Sequence, residues 1–204
     1  MSDYRYDVSI VIPFYNSEKH VSKCLDNLKR QTIDQRKIQI IFVDDGSTDS
    51  SAIVLRKAAA DKAIRLTLKQ LPKNSGPGAA RNAGIALASG EFLFFLDIDD
   101  DLENEALLAL HQQALKTKVA FCFADTNWNF YGSNLRACEF SFPNTKKIGK
   151  EEIIEQLRLR IRTPSRSNDL LGAKAKLIKT DLIKTNGIKF YENTRYLEDE
   201  LFMW

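Results

Sequence analysis

The sequence predicts an α/β fold: a mostly parallel sheet with helices on both faces, and mixed strands in the second half. Two observations carry this expectation. Short, β-branched apolar runs alternate with segments of helical periodicity through the first hundred residues, and each run stops at a cluster of turn-forming residues. A repeating strand–helix unit favours right-handed crossovers between parallel strands.

The elements follow in order. Val8 to Ile12 is apolar on both faces, as a buried parallel strand should be, and Pro13 is expected to end it. Val21, Leu25 and Leu28 recur at helical spacing on a segment closing near Gln31. Ile38 to Val43 is a second buried strand, followed by Asp44-Asp-Gly-Ser-Thr-Asp49, whose residues form turns and cap helices. A helix through Ile53 to Ala58 follows. Ile64 to Leu68 alternates like a strand with one exposed face, and Gly76-Pro-Gly78 opens a helix of small residues ending near Gly90. Phe92 to Leu96 is a fourth strand, stopped by Asp97-Ile-Asp-Asp-Asp101. Beyond it, Leu102 to Lys116 reads as a helix with Leu107, Leu108, Leu110 and Leu115 on its apolar side, and Val119 to Ala124 as a strand. Shorter mixed strands are expected around Trp128, Phe130 and Phe140 to Phe142, and an amphipathic helix at Glu151 to Ile161 within a basic stretch from Lys146 to Arg166. Thr180 is expected to cap a short helix that Gly187 ends.

Composition narrows the function classes. With 44% apolar and 28% charged residues, the 204-residue chain can bury a core and reads as one domain. Lys plus Arg total 30 against 27 Asp plus Glu, a net charge of +3, too mild to indicate nucleic-acid binding. No apolar run approaches the roughly 20 residues of a membrane span, and no secretion signal opens the chain, so a cytoplasmic location is expected. Cys24, Cys122 and Cys138 lack metal-type spacing and suit a reducing compartment. His20 and His111 have no second histidine at metal spacing and read as structural.

The candidate chemistry lies where strands end. In an open parallel sheet the carboxyl ends of the strands form the ligand crevice. Strand one ends at Pro13 to Asn16, strand two at Asp44-Asp45 and strand four at Asp97 to Asp101, so four or five aspartates are expected around one cleft. Such crowding costs stability unless a cation neutralises it, which implies Mg²⁺ or Mn²⁺ and a phosphate-bearing substrate. Each motif alone also has a plain reading: Asp44 to Ser47 as turn and cap, Asp97 to Asp101 as an acidic helix start, Asn74 to Gly78 as a loop, Arg81 as a solvated helix residue. Their order changes that balance.

Val8-Ser-Ile-Val-Ile-Pro-Phe-Tyr-Asn16, Ile41-Phe-Val-Asp-Asp-Gly-Ser-Thr-Asp49, Asn74-Ser-Gly-Pro-Gly-Ala-Ala-Arg-Asn82, Phe95-Leu-Asp-Ile-Asp-Asp100 and Leu197-Glu-Asp-Glu-Leu-Phe202 together closely resemble the signature of glycosyltransferase family 2 on the Rossmann-like GT-A fold. The resemblance implies an inverting transferase of bacterial cell-surface polysaccharide type, with a nucleotide-diphosphate sugar donor, UDP-sugar by family frequency, and Mn²⁺ or Mg²⁺. It implies that Pro13 and Tyr15 line the base and ribose pocket, and that Asp45, with Asp44 behind it, accepts from the base edge. Asn74 and Arg81 match positions near nucleotide and sugar. Asp97 and Asp99 form the Asp-x-Asp motif, Asp97 toward ribose or donor sugar and Asp99 on the metal. Asp199 matches the general base and Glu198 its partner. Ile98 departs from the small residue common inside the motif and would narrow the donor pocket.

The same likeness divides the chain into a nucleotide-sugar half, residues 1–100, and an acceptor half, residues 101–204. The acceptor would be a glycan, a lipid-linked sugar or a polymer at the inner face of the cell membrane. The basic segment Arg158 to Arg166 would hold an anionic acceptor or lie as a solvated helix and loop. The chain stops five residues after Asp199, which reads as the first part of a longer protein. The rival expectation is a catalytically idle nucleotide-sugar-binding module. A dinucleotide enzyme or P-loop ATPase is not expected, since Arg81 stands where the third fingerprint glycine belongs and no Gly-x-x-x-x-Gly-Lys occurs.

Overall fold

A computed structural model describes residues 4–60, 64–117, 121–123 and 176–192. In chain order these form β1 (Tyr6–Phe14), α1 (Glu18–Lys29), β2 (Ile38–Asp44), α2 (Ser51–Ala60), β3 (Leu66–Gln70), α3 (Pro77–Leu87), β4 (Gly90–Phe95), α4 (Ala106–Thr117), β5 (Phe121–Phe123), β6 (Lys176–Lys179) and α5 (Thr180–Thr185). The sheet order is β3-β2-β1-β4-β6-β5. Its first four strands are parallel, whereas β6 runs antiparallel to both β4 and β5.

Side-chain alternation along β1 assigns the two faces. Val8, Ile10, Ile12 and Phe14 point to one layer, where they join Ile40 and Phe42 of β2, Phe92 and Phe94 of β4, Val21 and Leu28 of α1, Leu55 of α2, and Leu107 and Leu110 of α4. Val11 points to the other, with Ile41, Val43, Leu93 and Phe95 beneath Ala80 and Ile85 of α3 and Ile183 of α5. Period 2 in the strands thus sorts apolar residues into two cores, each covered by helices. Full burial of Val21 and Leu28 contributes about 1.5–3 kcal/mol each.

From β1 the chain winds outward through β2 to β3, then returns across α3 to lay β4 on the other side of β1. The strand order therefore reverses at β1, and a crevice is expected beyond the carboxyl ends of β1 and its neighbours.

Several boundaries differ from expectation. The first strand continues through Pro13, which pairs with Val43. Phe14 O accepts from Asp45 N and Val11 O from Leu96 N, so residues 11 and 13 face β4, whose ladder ends at Val11–Phe95. The missing proline N–H falls where no pairing needs it. The third strand sits two residues later, and Ile64 instead fills the core. Helix α4 begins at Ala106, because buried Gln31 donates to the Glu103 carbonyl (2.8 Å) and accepts from Leu107 N (3.3 Å), pinning the preceding residues as a turn. Leu115 is half exposed; Ala114 takes the buried place.

Lys176–Lys179 was not expected as a strand. Lys179 holds the N-cap position of α5, and Thr180 Oγ1 donates to the Gly90 carbonyl (2.6 Å). Gly187 ends α5 as expected, at φ 63, with Gly187 N bonded to Lys184 O and Ile188 N to Ile183 O in a Schellman turn. Among the described residues no helix is long and apolar enough to cross a membrane. The expectations for Trp128, Phe130, residues 140–142, 146–166 and 197–202 lie outside the described residues.

Candidate functional site

The site is built on the loops after β1, β2 and β4. Asp44 ends β2 fully buried: its Oδ1 accepts from Ser47 N and its Oδ2 from Gln70 Nε2, both at 2.8 Å. It closes the loop and fastens β3. Gly46 lies at φ 75, and a Cβ there would stand 2.7 Å from Lys73 C and 2.8 Å from Asn74 N. Only glycine lets the two loops touch. Asn74 is exposed beside that contact.

Asp45 is bound to the start of α3. Its Oδ1 accepts from Ser75 N and its Oδ2 from Gly76 N, each at 2.8 Å, so the carboxylate sits at a helix N-terminus, where the dipole favours it. Burial pushes its carboxyl above the ordinary aspartate value; the two backbone donors oppose this and neighbouring Asp44 adds to it. Each oxygen keeps a second acceptor direction. Nearby on the rim, Tyr15 is 45% exposed at the end of β1, while Pro13 is buried in the strand.

The same helix reaches the loop after β4. Arg81 is 3% exposed, and its Nη2 donates to Asp97 Oδ1 at 2.8 Å. A buried guanidinium without a partner would cost several kcal/mol; here Asp97 balances it, and Cζ also stacks 5.3 Å from the centre of the Phe190 ring. About 7.5 Å of helix axis separates Gly76 from Arg81, so α3 braces both acids along one edge of the sheet.

The Asp97–Asp101 segment divides its side chains. Asp100 N bonds Asp97 O at 3.1 Å in a turn. Ile98 is buried in the core cluster that includes Phe14, Phe94 and Leu96. Asp101 turns away to Lys23 Nζ (2.8 Å) and Asn27 Nδ2 (3.1 Å) on α1, and that hydrogen-bonded lysine holds its carboxyl below the ordinary range. Asp99 is exposed and makes no hydrogen bond or ion pair among the described residues.

Asp44, Asp45, Asp97 and Asp101 are each answered by protein donors. Among the described residues no three metal-ligating side chains cluster. The exposed carboxylate of Asp99 fits a hard divalent ion that takes most of its ligands from water and phosphate. Glu198 and Asp199 lie outside the described residues.

Pattern reading missed the fastening of this rim. Asn16 adopts φ 48, and its Oδ1 accepts from Thr48 N (2.8 Å) and Asp49 N (3.3 Å), tying the end of β1 to the loop after β2. Asp49 accepts from Glu18 N and from Ser51 N, both at 3.0 Å, joining the N-termini of α1 and α2. Although burial opposes it, hydrogen bonds from Ser51 and Glu18 hold its carboxyl below the ordinary value. The cap-rich run to Asp49 signalled a helix start but not the second helix it serves. The His111 ring packs edge-on against Phe92, a structural place as expected, and Cys24 is buried in the core.

A family model described as Glycosyl transferase family 2 matches residues 9–171. The chain is 33% identical over 202 residues to a poly(ribitol-phosphate) beta-glucosyltransferase of Bacillus spizizenii, covering 96% of this chain and 28% of that protein. It is similar to the crystal structure of Staphylococcus aureus TarS 1-349 in complex with UDP-GlcNAc, at TM-score 0.77 and 26% identity, over 96% of this chain and 52% of that one. A mannosyltransferase from Pyrobaculum calidifontis, in complex with GDP-Man and Mn²⁺, shares the fold at TM-score 0.68 and 18% identity, over 98% and 51% of the two chains. The chain thus spans about a third or less of the first curated relatives it matches, at 28% and 31%.

Proposed function

The chain belongs to glycosyl transferase family 2, and from that premise we propose that it takes a nucleoside-diphosphate sugar, UDP-linked, and transfers the sugar with inversion to a hydroxyl of a cell-surface polymer. One observation carries the reading: Asp45 and the Arg81–Asp97 pair are braced by one helix at the strand-order reversal, beside an open Asp99. The UDP-GlcNAc held by TarS and the polymer in the Bacillus enzyme's name support the donor and acceptor classes. We assign the reaction to the inner membrane face, with a glycan, lipid-linked or polymer acceptor.

In this reading the exposed Tyr15 ring stacks on the base, Pro13 and Asp44 hold the pocket wall, and the remaining acceptor directions of Asp45 take a base N–H. Asp97, oriented by Arg81, receives ribose or donor-sugar hydroxyls, and Asn74 lies beside the nucleotide. Asp99 would hold Mn²⁺ or Mg²⁺, which when bound stabilises the negative charge of the departing diphosphate as a Lewis acid. Asp199, paired with Glu198, takes the acceptor proton on the face opposite the leaving group, and in-line attack from that side inverts the anomeric carbon.

Calorimetric titration with UDP and Mn²⁺ tests the assignment. Asp99→Ala should abolish metal-dependent binding, whereas Asp199→Ala should leave binding nearly intact while removing turnover. A panel of UDP-sugars assayed for UDP release identifies the donor. Binding without turnover across the panel would mark the chain as an idle nucleotide-sugar-binding module, and loss of UDP binding in Asp199→Ala would overturn the division of roles.

A further inference from the structure

Charge is unevenly placed along the chain. Between Ser50 and Gly90 stand seven Lys or Arg against one acid, Asp61, so this stretch carries +6 in a chain of net charge +3 and leaves −3 for the remainder. Folding gathers its exposed members at one edge of the sheet. β3 is the outermost strand, and α2 packs beside it. Ile53, Arg56, Lys57 and Ala60 recur at helical spacing and are all exposed, Ile53 at 51%, so they form the outer face of α2. Leu66 and Leu68 of β3 pack against the core on the α2 side, which turns Lys69 to the opposite side of the sheet. Arg65, Lys69 and Lys73 are exposed. Cations thus straddle the edge from both layers. Arg56 donates to Gln70 Oε1, and none of these five cations forms an ion pair among the described residues, whereas Lys23, Arg36, Lys37 and Lys179 each meet a carboxylate.

Edge strands carry lysine to block pairing with another sheet. That accounts for Lys69, but for neither the cations of α2 nor the exposed isoleucine among them. We propose that this edge, the outer face of α2 together with β3, is the surface by which the protein lies against an anionic lipid bilayer. Clustered Lys and Arg are drawn to the negative surface of a membrane leaflet, and the apolar side chain between them enters the headgroup boundary, an environment that a soluble polyanion does not offer. The opposite charge on the rest of the chain orients the molecule with this edge toward the bilayer. Because the strands run along the edge, their carboxyl ends then open parallel to the membrane plane, leaving the crevice free. This names the face used in the membrane-side transfer proposed above, and for that purpose it rests on that reading.

The test is cosedimentation of the full protein with vesicles of equimolar phosphatidylglycerol and phosphatidylcholine, and with vesicles of phosphatidylcholine alone. Binding is expected to the anionic vesicles only, with release at about 1 M salt, where charges are screened beyond about 3 Å. Each cation near such a surface contributes roughly fivefold, so Lys57→Gln, Arg65→Gln and Lys69→Gln combined should weaken vesicle binding about a hundredfold, and Ile53→Ser alone by about threefold or more. Tm and the calorimetric Kd for UDP should not change, since these side chains are exposed and unpaired with acids. Equal binding to the two kinds of vesicle, or undiminished binding by the triple variant, would overturn the proposal. So would full vesicle binding by Ile53→Ser, or binding to soluble polyphosphate without binding to vesicles, since either marks a site for a polyanion. If the protein binds anionic vesicles through this edge but neither binds UDP nor releases it from any UDP-sugar, the transfer reading fails and the surface stands. UDP binding with no vesicle binding removes the surface alone.

Discussion

At Asp45 the geometry of two backbone donors decides what a substitution does. Asn there offers one acceptor and sets its NH₂ against an N–H of Ser75 or Gly76. Asp45→Asn should therefore lower stability by about 1–3 kcal/mol in urea unfolding and weaken UDP binding in the same protein. The pH response of this acid has an unusual sign. Its folded carboxyl is raised, so its contribution favours folding below the ordinary aspartate value and is lost as pH rises through the raised one. Asp101 does the reverse, being lowered by Lys23 and Asn27 from the ordinary 3.8: its contribution is present above that value and lost as pH falls through the lowered one. As pH falls below the ordinary aspartate value, stability should drop less steeply in Asp101→Asn than in the unaltered protein. Burial also pushes the Cys24 thiol up to about 12, so it should not react with a disulfide reagent at pH 8 until the protein unfolds.

Helix α3 is the element on which the rim depends, and its glycines serve packing. By intrinsic propensity Gly84→Ala should stabilise a helix by about 1 kcal/mol. In this fold a Cβ at position 84 would stand 2.2 Å from Val11 Cγ1, against a stiff, fully buried β-branched side chain. Overpacking of that kind costs about 1–3 kcal/mol, so thermal unfolding of Gly84→Ala should show a net loss. The two helices α1 and α2 share a cap, and Asp49→Ala should cost more than the roughly 1 kcal/mol of a single cap. Apolar residues revealed α1 and α2, the Gly76-Pro-Gly78 turn and the small residues after it revealed α3, and β1, β2 and β4 were placed because they are apolar on both faces. It did not reveal β6. Lys176–Lys179 is four residues with a lysine at each end, and its strand identity comes from pairing with Phe92–Phe94, more than eighty positions away.

For the whole molecule, ligand binding as proposed at the strand-order reversal would engage loops from three strands at once, so it should stabilise the fold cooperatively. UDP with Mn²⁺ at a hundred times Kd adds about 2.7 kcal/mol, which for a chain of this size raises Tm by roughly 5–10 °C; a chelator should reverse most of that rise. Pattern in the chain was enough to establish the alternating fold and the strand ends on which the motifs fall, since periodicity and turn chemistry act over a few residues. What each acid does there was chosen by packing. Asp44 meets Gln70, Asp45 the amides of residues 75 and 76, Asp97 meets Arg81 and Asp101 meets Lys23, leaving Asp99 exposed. Each of these carboxylates takes the donor that folding carries to it, and those donors lie from sixteen to seventy-eight positions away, a separation no local pattern can encode.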